Sequence, residues 1–457
     1  MHILLKFSNI ELSNKSNITM LRSKDTTNIS EINNFFTSSE KVCQTVLWII
    51  RSLNLNSKQL RPSDGDRSTY SSGNVLTLLL LFPLFQLSNV RVYSQSVLSK
   101  LFKGGKDVFY RFKNNEMINW RALQYQITSQ LIGIATSDEE PTGYKCLIAD
   151  DTDLPKTGWS IELIGRIWSH VTNSSKLGFK GLFLGYHDGK SFFGIDFSLH
   201  GEQGKNEKKP YGLTPKQSKG RFTKKRSLLS AGSVRKAEYF ERKTDKLLTM
   251  IRTAISRGVR FDYLLVDSWF VSDVLISFIL KRKIKCHLLG MAKMGKARYD
   301  FRGQSYTAKE LVEKQKRNKK IKRSRKLNVW YSFADVHYKG NYIRLFFCKT
   351  THRGNWNVLL TTNNDLEFEE AYRIYSIRWS IEVFFNGKQF VMQSRSESNA
   401  VNQDITSQLY TTTLHNNIIS EGLSTSQPDH DSSPNHVPWP FQEQGLYKLF
   451  QVLPVCA

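Results

Sequence analysis

The segment IADDTDLPKTG, residues 148–158, places three carboxylates within four positions, directly after an apolar run. Asp150, Asp151 and Asp153 repel one another when ionised, and each resists burial because an apolar environment disfavours the charged form. A solvated turn at the end of a strand explains such a cluster, and so does a bound cation. The choice between them depends on whether acids elsewhere in the chain complete a site.

The composition favours a large folded protein with a polyanionic partner. The 457 residues are 40% hydrophobic and 12% aromatic, with a formal net charge of +26. That charge favours nucleic acid or an anionic membrane surface. The longest apolar run, VLTLLLLFPLF at 75–85, has about half the residues that a membrane-spanning helix needs and is interrupted by Pro83. Nucleic acid is therefore the expected partner, with no membrane. The five scattered cysteines lack zinc-site spacing and fit buried thiols in a reducing cytoplasm.

Periodicity divides the chain into segments of different character. Residues 1–35 are polar and form a loose leader, and residues 36–137 repeat apolar positions at helical spacing. The predicted α/β part then has four segments: a first part of the core at 138–285, a β-rich insertion at 286–362, a last part of the core at 363–420 and an irregular tail at 421–457.

Two buried strands that end in acids mark the core. They are YKCLIAD at 144–150 and FDYLLVD at 261–267. Between them, residues 180–202 form two β-rich runs around Asp188-Gly189, a strong hairpin signal, and residues 233–257 are predicted to be one amphipathic helix. This order describes an α/β fold with a ribonuclease-H-like core, although other α/β folds share it.

The insertion and the last helix complete the pattern. Residues 328–347 alternate like a hairpin with Lys339-Gly340-Asn341 at the turn, and NVLLTT at 357–362 follows as a strand. Residues 366–390 are predicted to be helical.

That helix contains YSIRWSIEVFFNGKQ, which supplies a third acid. At about 100° per residue, Tyr375, Arg378 and Glu382 share one helix face. An arginine on the same face as an acid pairs with it or holds a phosphate.

Asp151, Asp267 and Glu382 are therefore predicted to hold two Mg²⁺ ions, for which Mn²⁺ can substitute. Such metals activate a water or a 3′-hydroxyl and stabilise the leaving oxygen during phosphodiester transfer. As the alternative, Asp151 and Asp267 are each an ordinary solvated strand end. Asp153 is expected at the surface, and Asp150 is the rival of Asp151 for the first metal position.

Three blocks in order carry a family resemblance: ADDTDLPKTG, LLVDSWFVSD and YSIRWSIEVFF. Over roughly residues 36–415 they resemble bacterial insertion-sequence transposases of the DDE type, in the branch with a Tyr-x2-Arg-x3-Glu-x6-Lys signature. The resemblance implies a ribonuclease-H-like catalytic core, with a β-rich insertion between the second Asp and the Glu. It also implies cut-and-paste transposition in the bacterial cytoplasm, at the nucleoid.

The resemblance further assigns partners and residues. A homodimer would bind the terminal inverted repeats of its own element in double-stranded DNA, with residues 36–137 as the end-binding domain. Tyr375 and Arg378 match positions that contact phosphates of the DNA ends. An aromatic residue of the insertion, Trp330 or Trp356, would stack on a flipped base.

One departure from the signature concerns its lysine. The position seven residues after Glu382 is Gln389, and Lys388 comes one residue early. A distortion near Gly387 would bring Lys388 to the acidic face as the DNA-binding lysine. Otherwise the copy is decayed or frameshifted, which leaves two alternatives open: a DNA-binding relic without catalysis, or a metal-dependent nuclease without strand transfer.

Two basic runs add to the expected DNA affinity. Residues 205–226 and 313–326 each hold nine Lys or Arg against one acid. A run of this kind is either a solvated face or a set of phosphate contacts that strengthen binding without reading sequence.

Overall fold

The computed structural model describes residues 48–53, 55, 60, 70–82, 87, 89–96, 99–100, 104–135, 143–281, 285–385, 409–411, 413–414 and 416–418. The predicted leader 1–35 and tail 421–457 lie outside these residues.

The described part of residues 36–137 is helical. It contains a short helical stretch at 48–52 and four longer helices: α1 (Ser72–Leu81), α2 (Val90–Gln95), α3 (Lys106–Lys113) and α4 (Trp120–Ala135). Aromatic rings hold these helices together, since Tyr93 stacks on Phe82 at 5.0 Å and meets Phe109 edge-on at 5.3 Å. The run at 75–85 thus begins as a core helix. Among the described residues, no helix is both long and apolar enough to cross a bilayer.

Twelve strands of the described residues form one mixed sheet. They are β1 (Cys146–Pro155), β2 (Gly165–Ser169), β3 (Ser174–His187), β4 (Phe192–His200), β5 (Tyr263–Val266), β6 (His287–Ala292), β7 (Arg298–Phe301), β8 (Gln304–Thr307), β9 (Lys322–Ser324), β10 (Val329–Tyr338), β11 (Asn341–Lys349) and β12 (Asn357–Thr361). The strand order is β2-β3-β1-β5-β6-β12-β11-β10-β7-β8, with β4 paired to β3 and β9 to β10.

Within this sheet, β4, β3, β1, β5 and β6 are neighbours in that order. The first three run antiparallel, and β1, β5 and β6 run parallel. Strands β7 to β11 join through β12, which pairs antiparallel with β6, and β2 pairs with β3. The boundary predicted at residue 286 therefore falls before a strand that pairs with β5 in the core.

The remaining helices cover the sheet and connect its strands. They are α5 (Pro215–Lys219), α6 (Ala231–Glu238), α7 (Lys243–Ser256), α8 (Asp273–Leu280), α9 (Ala308–Arg317) and α10 (Phe368–Ser376). Side chains fix several of their starts: Ser230 caps α6 and Ser272 caps α8, each accepting a backbone N–H of the first turn.

Both predicted hairpins are confirmed. Asp188 accepts the N–H groups of Lys190 and Ser191 at the β3–β4 turn. The β10–β11 turn has positive φ at Lys339 (49°) and Gly340 (81°), which a two-residue hairpin turn requires.

Three sequence-based boundaries were wrong. The first strand does not stop at Asp150, because β1 pairs with β3 along its whole length to Pro155. The predicted helix 233–257 is two helices, since the buried Tyr239 packs on Phe179 between them and Arg242 is extended. The predicted helix 366–390 is interrupted at 377–378, where backbone bonds span three residues instead of four.

Candidate functional site

Acids from two neighbouring parallel strands lie at one end of the sheet. Ala149 of β1 pairs with Val266 of β5, so Asp150 and Asp267 occupy the next positions of the two strands. Asp150 lies inside β1, while Asp267 begins the turn after β5 and accepts the N–H of Trp269 at 2.9 Å. The structure thus places Asp150, the alternative to the predicted Asp151, level with Asp267 at the ends of two neighbouring strands.

The third predicted acid reaches the same place through an arginine. The guanidinium of Arg378 donates to Asp150 Oδ2 at 2.7 Å and to Glu382 Oε1 at 2.5 Å. It is 8% exposed. A fork of N–H donors suits two carboxylates at once. The chain therefore joins an acid of β1 to an acid 232 positions later through one side chain.

The helix break gives this pair its position. After α10, the N–H of Arg378 binds the carbonyl of Tyr375 at 3.0 Å, and helix resumes at 379–385. Tyr375 is buried, and its hydroxyl donates to the carbonyl of Val266 at 3.3 Å, which ties α10 to the end of β5. In the described structure, Tyr375 and Arg378 bind groups of the protein, and their contact with DNA phosphates remains a prediction.

Asp151 has a separate cation. The ammonium of Lys243, the first residue of α7, pairs with Asp151 Oδ2. Asp150 and Asp151 thus take different cationic partners, although the charge of Asp151 acts on both Asp150 and Asp267. Asp153 forms an ion pair with Lys180 at 2.5 Å, which gives it a structural role.

The acids at this end of the sheet are short of positive charge. Burial raises the pKa of Asp150 from 3.8 to about 7. The charges of Asp267 and Asp151 add to this rise, and the guanidinium of Arg378 opposes it. Burial and the repulsion of Asp151 also raise the pKa of Asp267. Burial and the two neighbouring carboxylates outweigh the guanidinium of Arg378, so the net effect on the pKa of Asp150 is upward.

The donor chemistry fits a hard divalent cation. Carboxylate oxygens are the ligands that Mg²⁺ takes from proteins, and carboxylates with raised pKa gain most from a nearby cation. Within the described ranges, no three His, Cys, Asp or Glu side chains are grouped closely enough to hold a metal as they stand. Arg378 and Lys243 instead supply the positive charge.

A groove of about 400 Å³ begins at Asp151. Its walls include the apolar side chains of Phe183 and Phe385, with Lys176 and His170 at its polar side. The wall of this space therefore combines apolar side chains with charged ones of both signs, since Asp153 and Lys180 also line it.

Other sequence-predicted residues lie elsewhere. Lys388 and Gln389 fall outside the described residues. In the insertion, Trp330 is half-buried on β10 with the Arg323 guanidinium 5.3 Å from its ring centre. Trp356 is half-buried with the Lys349 ammonium at 5.0 Å. Their predicted stacking on a flipped base stays a prediction.

Sequence reasoning missed two residues beside the acids, Lys243 and Trp269. Nothing in the local pattern separates Lys243 from other basic residues of a highly basic chain. Trp269 could have been noticed because it lies two residues after Asp267. Its apolar sequence neighbours, however, made it look like a buried residue.

Comparisons with known proteins give a distant likeness in fold among solved structures. No family model matches the sequence, and no curated protein matches it. Among solved structures, the fold is similar to that of a piggyBac transposase in a synaptic complex with hairpin DNA, determined by cryo-EM. The likeness covers 85% of this chain and 73% of that chain, with 14% sequence identity and a TM-score of 0.40. The family resemblance of the three sequence blocks stays a prediction.

Proposed function

We propose that this protein is a DNA transposase of the DDE type, which cleaves and transfers phosphodiesters with the help of Mg²⁺. The observation that carries the proposal is that Asp150, Asp267 and Glu382, from three distant parts of the chain, meet at one end of parallel strands. Asp151 lies close enough for its charge to act on Asp150 and Asp267. A structural ion pair needs only one acid and one cation. Here four acids surround two cationic side chains, Arg378 and Lys243, which leaves negative charge for a further cation.

The sheet order supports a ribonuclease-H-like core for this chemistry. Such a core has three antiparallel strands followed by two parallel ones, which is how β4, β3, β1, β5 and β6 are arranged. Strands β7 to β12, which lie between Asp267 and Glu382 in sequence, correspond to the β-rich insertion.

We assign Asp151, Asp267 and Glu382 as the metal ligands. Asp150 already uses both carboxylate oxygens, one on the backbone N–H of Asp151 and one on Arg378. Its side chain is also less exposed than that of Asp151, at 13% against 24%. Asp150 is therefore assigned to positioning Arg378.

The bound metal would activate the attacking hydroxyl and neutralise charge on the leaving oxygen. The chain's own residues do the rest. Arg378 holds Glu382 beside Asp150, Tyr375 fixes the helix to the end of β5, and Lys243 pairs with Asp151.

The surrounding charge fits a DNA substrate. Both basic runs present exposed lysines, although Arg226 in the first run forms a buried pair with Glu162 at 2.6 Å. The runs would contact phosphates of the terminal repeats, and a homodimer would pair the two element ends.

The test is cleavage of end-labelled duplex DNA that carries the sequences flanking this gene, with Mg²⁺ or Mn²⁺. The parent protein should cut one strand at a defined position and then join the cut end to a second duplex. Asp267→Asn should lose both reactions by at least about 100-fold, since metal sites depend on each carboxylate. Asp273→Asn, an exposed acid six residues later, is the matched control and should cut normally. Equal cutting by parent and Asp267→Asn would remove the assignment.

A second candidate is a DNA-binding relic without catalysis. The observation that favours it is the pairing of the acids with Arg378 and Lys243, which balances part of their charge without metal. Specific binding of the flanking DNA without cutting would support the relic. Cutting without joining would instead indicate a nuclease.

A further inference from the structure

A cavity of about 150 Å³ lies between the start of α4, helix α6 and the end of α7. Pockets for drug-sized ligands usually have about 300–1,000 Å³, so this smaller space suits an ion or a very small molecule. The polar residues that line it are Asn119, Trp120, Arg121, Arg235 and Arg257. Three of these are arginines, and no acid is among the described residues of the lining.

Two of the lining residues have buried N–H groups that lack an acceptor. Trp120 is 2% exposed and Arg235 is 9% exposed. Among the described residues, neither Trp120 Nε1 nor Arg235 Nη2 has a hydrogen-bond partner. A buried donor without an acceptor is costly, most of all on a charged group. An acceptor in the space that both side chains line would remove this cost.

The charge around the cavity is positive. Four cationic side chains are grouped with two buried carboxylates, namely Arg121, Arg235, Arg257 and Lys246 with Asp196 and Glu238. Arg257 is exposed and forms no ion pair with a described residue, and its guanidinium lies 5.2 Å from the ring centre of Tyr125. Two positive charges therefore remain when all six groups are ionised, and neither carboxylate lines the cavity.

The start of α4 adds to this preference for negative charge. The side-chain oxygen of Asn119 accepts the backbone N–H of Ala122 at 3.0 Å, which leaves the amide nitrogen of Asn119 as a donor. The N-terminus of a helix carries a partial positive charge, and its first N–H groups favour an anion. Helix α4 has 16 residues, so its dipole is that of a full-length helix.

We infer that this cavity binds a small free oxyanion with the chemistry of phosphate. Its oxygens would accept hydrogen bonds from the guanidinium groups of Arg235 and Arg257 and from the indole N–H of Trp120. A tetrahedral dianion offers several acceptors at once, and its charge would cancel the two that remain. Since α4 belongs to the predicted end-binding domain and α6 and α7 to the core, the anion would connect these two parts of the chain.

The inference goes beyond the proposed function and does not depend on it, because the described lining of the cavity shares no residue with the proposed metal site. The test is isothermal titration calorimetry of the full chain with inorganic phosphate, without divalent ions and at constant ionic strength in chloride. One phosphate should bind per chain, with a dissociation constant of about 1 mM or below. Heat that does not saturate would indicate only general attraction to a chain of net charge +26 and would overturn the site.

Matched variants locate the bound anion. Arg257→Gln should weaken phosphate binding by about tenfold or more, the effect of losing one hydrogen bond to a charged group. Arg252→Gln is the control and should bind as the parent does, because Arg252 is also exposed on α7 and also lies near a ring, that of Phe278 at 5.1 Å. Parent-like binding by Arg257→Gln overturns the proposal.

The indole N–H has its own test. Trp120→Phe keeps an aromatic ring in the buried position but removes the donor, so phosphate should bind about tenfold more weakly. Thermal unfolding of Trp120→Phe without phosphate shows whether the variant is folded. If it is not folded, Arg257→Gln alone decides, because that side chain is exposed.

A phosphate of DNA has the same chemistry and is the alternative occupant. Binding of a blunt duplex, followed by fluorescence anisotropy over a range of salt concentrations, separates the two sources. If the site takes a free anion, Arg257→Gln and Arg252→Gln should both keep the parent's slope of log affinity against log salt. A slope that is smaller by about 0.9 in Arg257→Gln alone would assign the cavity to one phosphate of DNA and overturn the free-anion assignment.

Discussion

Replacing Arg378 by Gln should destabilise the protein, and the loss should depend on pH and on Mg²⁺. Arg378 is 8% exposed and bridges Asp150, with a side chain 13% exposed, and Glu382, with a side chain 30% exposed. Removing one member of a buried ion pair costs about 3–5 kcal/mol, and a more exposed pair adds about 0–1 kcal/mol. We expect a loss of about 3–4 kcal/mol at pH 8.

The pH dependence follows from Asp150. Its pKa in the folded protein is raised from 3.8 to about 7, so its favourable contribution is complete below 3.8 and is lost as pH rises through 7. Arg378 lowers this pKa, and without it the folded pKa of Asp150 is higher still. Stability of the variant then keeps falling above pH 7, where the parent levels off. The deficit should grow by about 1.4 kcal/mol for each pH unit above 7.

The assay is urea unfolding followed by tryptophan fluorescence at pH 6, 7 and 8, with and without Mg²⁺. On the proposed function, Mg²⁺ replaces the missing guanidinium charge, so it should stabilise Arg378→Gln more than the parent. At ten times the dissociation constant, binding adds about 1.4 kcal/mol. Arg344→Gln is the control. Arg344 donates two hydrogen bonds to Asp335, of 2.6 and 3.0 Å, and this pair does not include the acids of the proposed site. Equal Mg²⁺ effects on parent and Arg378→Gln would refute competition between arginine and metal.

Three further variants test the surrounding charges. Lys243→Met removes a cation that competes with Mg²⁺ for Asp151. In a thermal-shift titration it should therefore lower the Mg²⁺ concentration for half-maximal stabilisation by about fivefold. An unchanged midpoint would contradict this. Burial lowers the pKa of His200 from 6.5 to about 4, so its contribution is present above 6.5 and lost as pH falls through 4. His200→Gln should remove up to about 3 kcal/mol of that acid dependence in urea melts, and a parent-like slope would count against it. Glu238 accepts bonds from three basic side chains that lower its pKa to about 2. Glu238→Gln should therefore cost about 3–5 kcal/mol at pH 7, and a loss under 1 kcal/mol would show that the cluster rearranges.

Local signals predicted the elements well where short-range chemistry decides them. Asp188-Gly189 and Lys339-Gly340 require hairpin turns, and both form. The apolar run before Asp267 predicted a buried strand, and β5 ends one residue before this acid. Where pairing between distant segments decides, the same signals failed. Asp150 looked like the end of a strand because acids disfavour burial, yet β3 pairs with β1 well past it.

The site was predicted in outline only, for a related reason. Glu382 was placed on the correct element by helical spacing, but spacing cannot show that the helix is interrupted at 377–378. Lys243 and Trp269 have no spacing relation to Asp151 in sequence. They meet it only because α7 starts, and β5 ends, at the same end of the sheet.

The balance of charge at this end of the sheet is unusual for the chain. When all are ionised, the acids carry four negative charges, on Asp150, Asp151, Asp267 and Glu382. Two of these charges are neutralised by the positive side chains of Arg378 and Lys243. Two negative charges remain in a protein whose formal net charge is +26. A DNA backbone is drawn to the basic surroundings but repelled by this spot, unless a divalent cation cancels the remainder or Asp150 takes a proton. Because the pKa of Asp150 is about 7, both routes are open near neutral pH. On the proposed function, metal and DNA should therefore bind together, each strengthening the other, and this coupling should weaken as pH falls below 7.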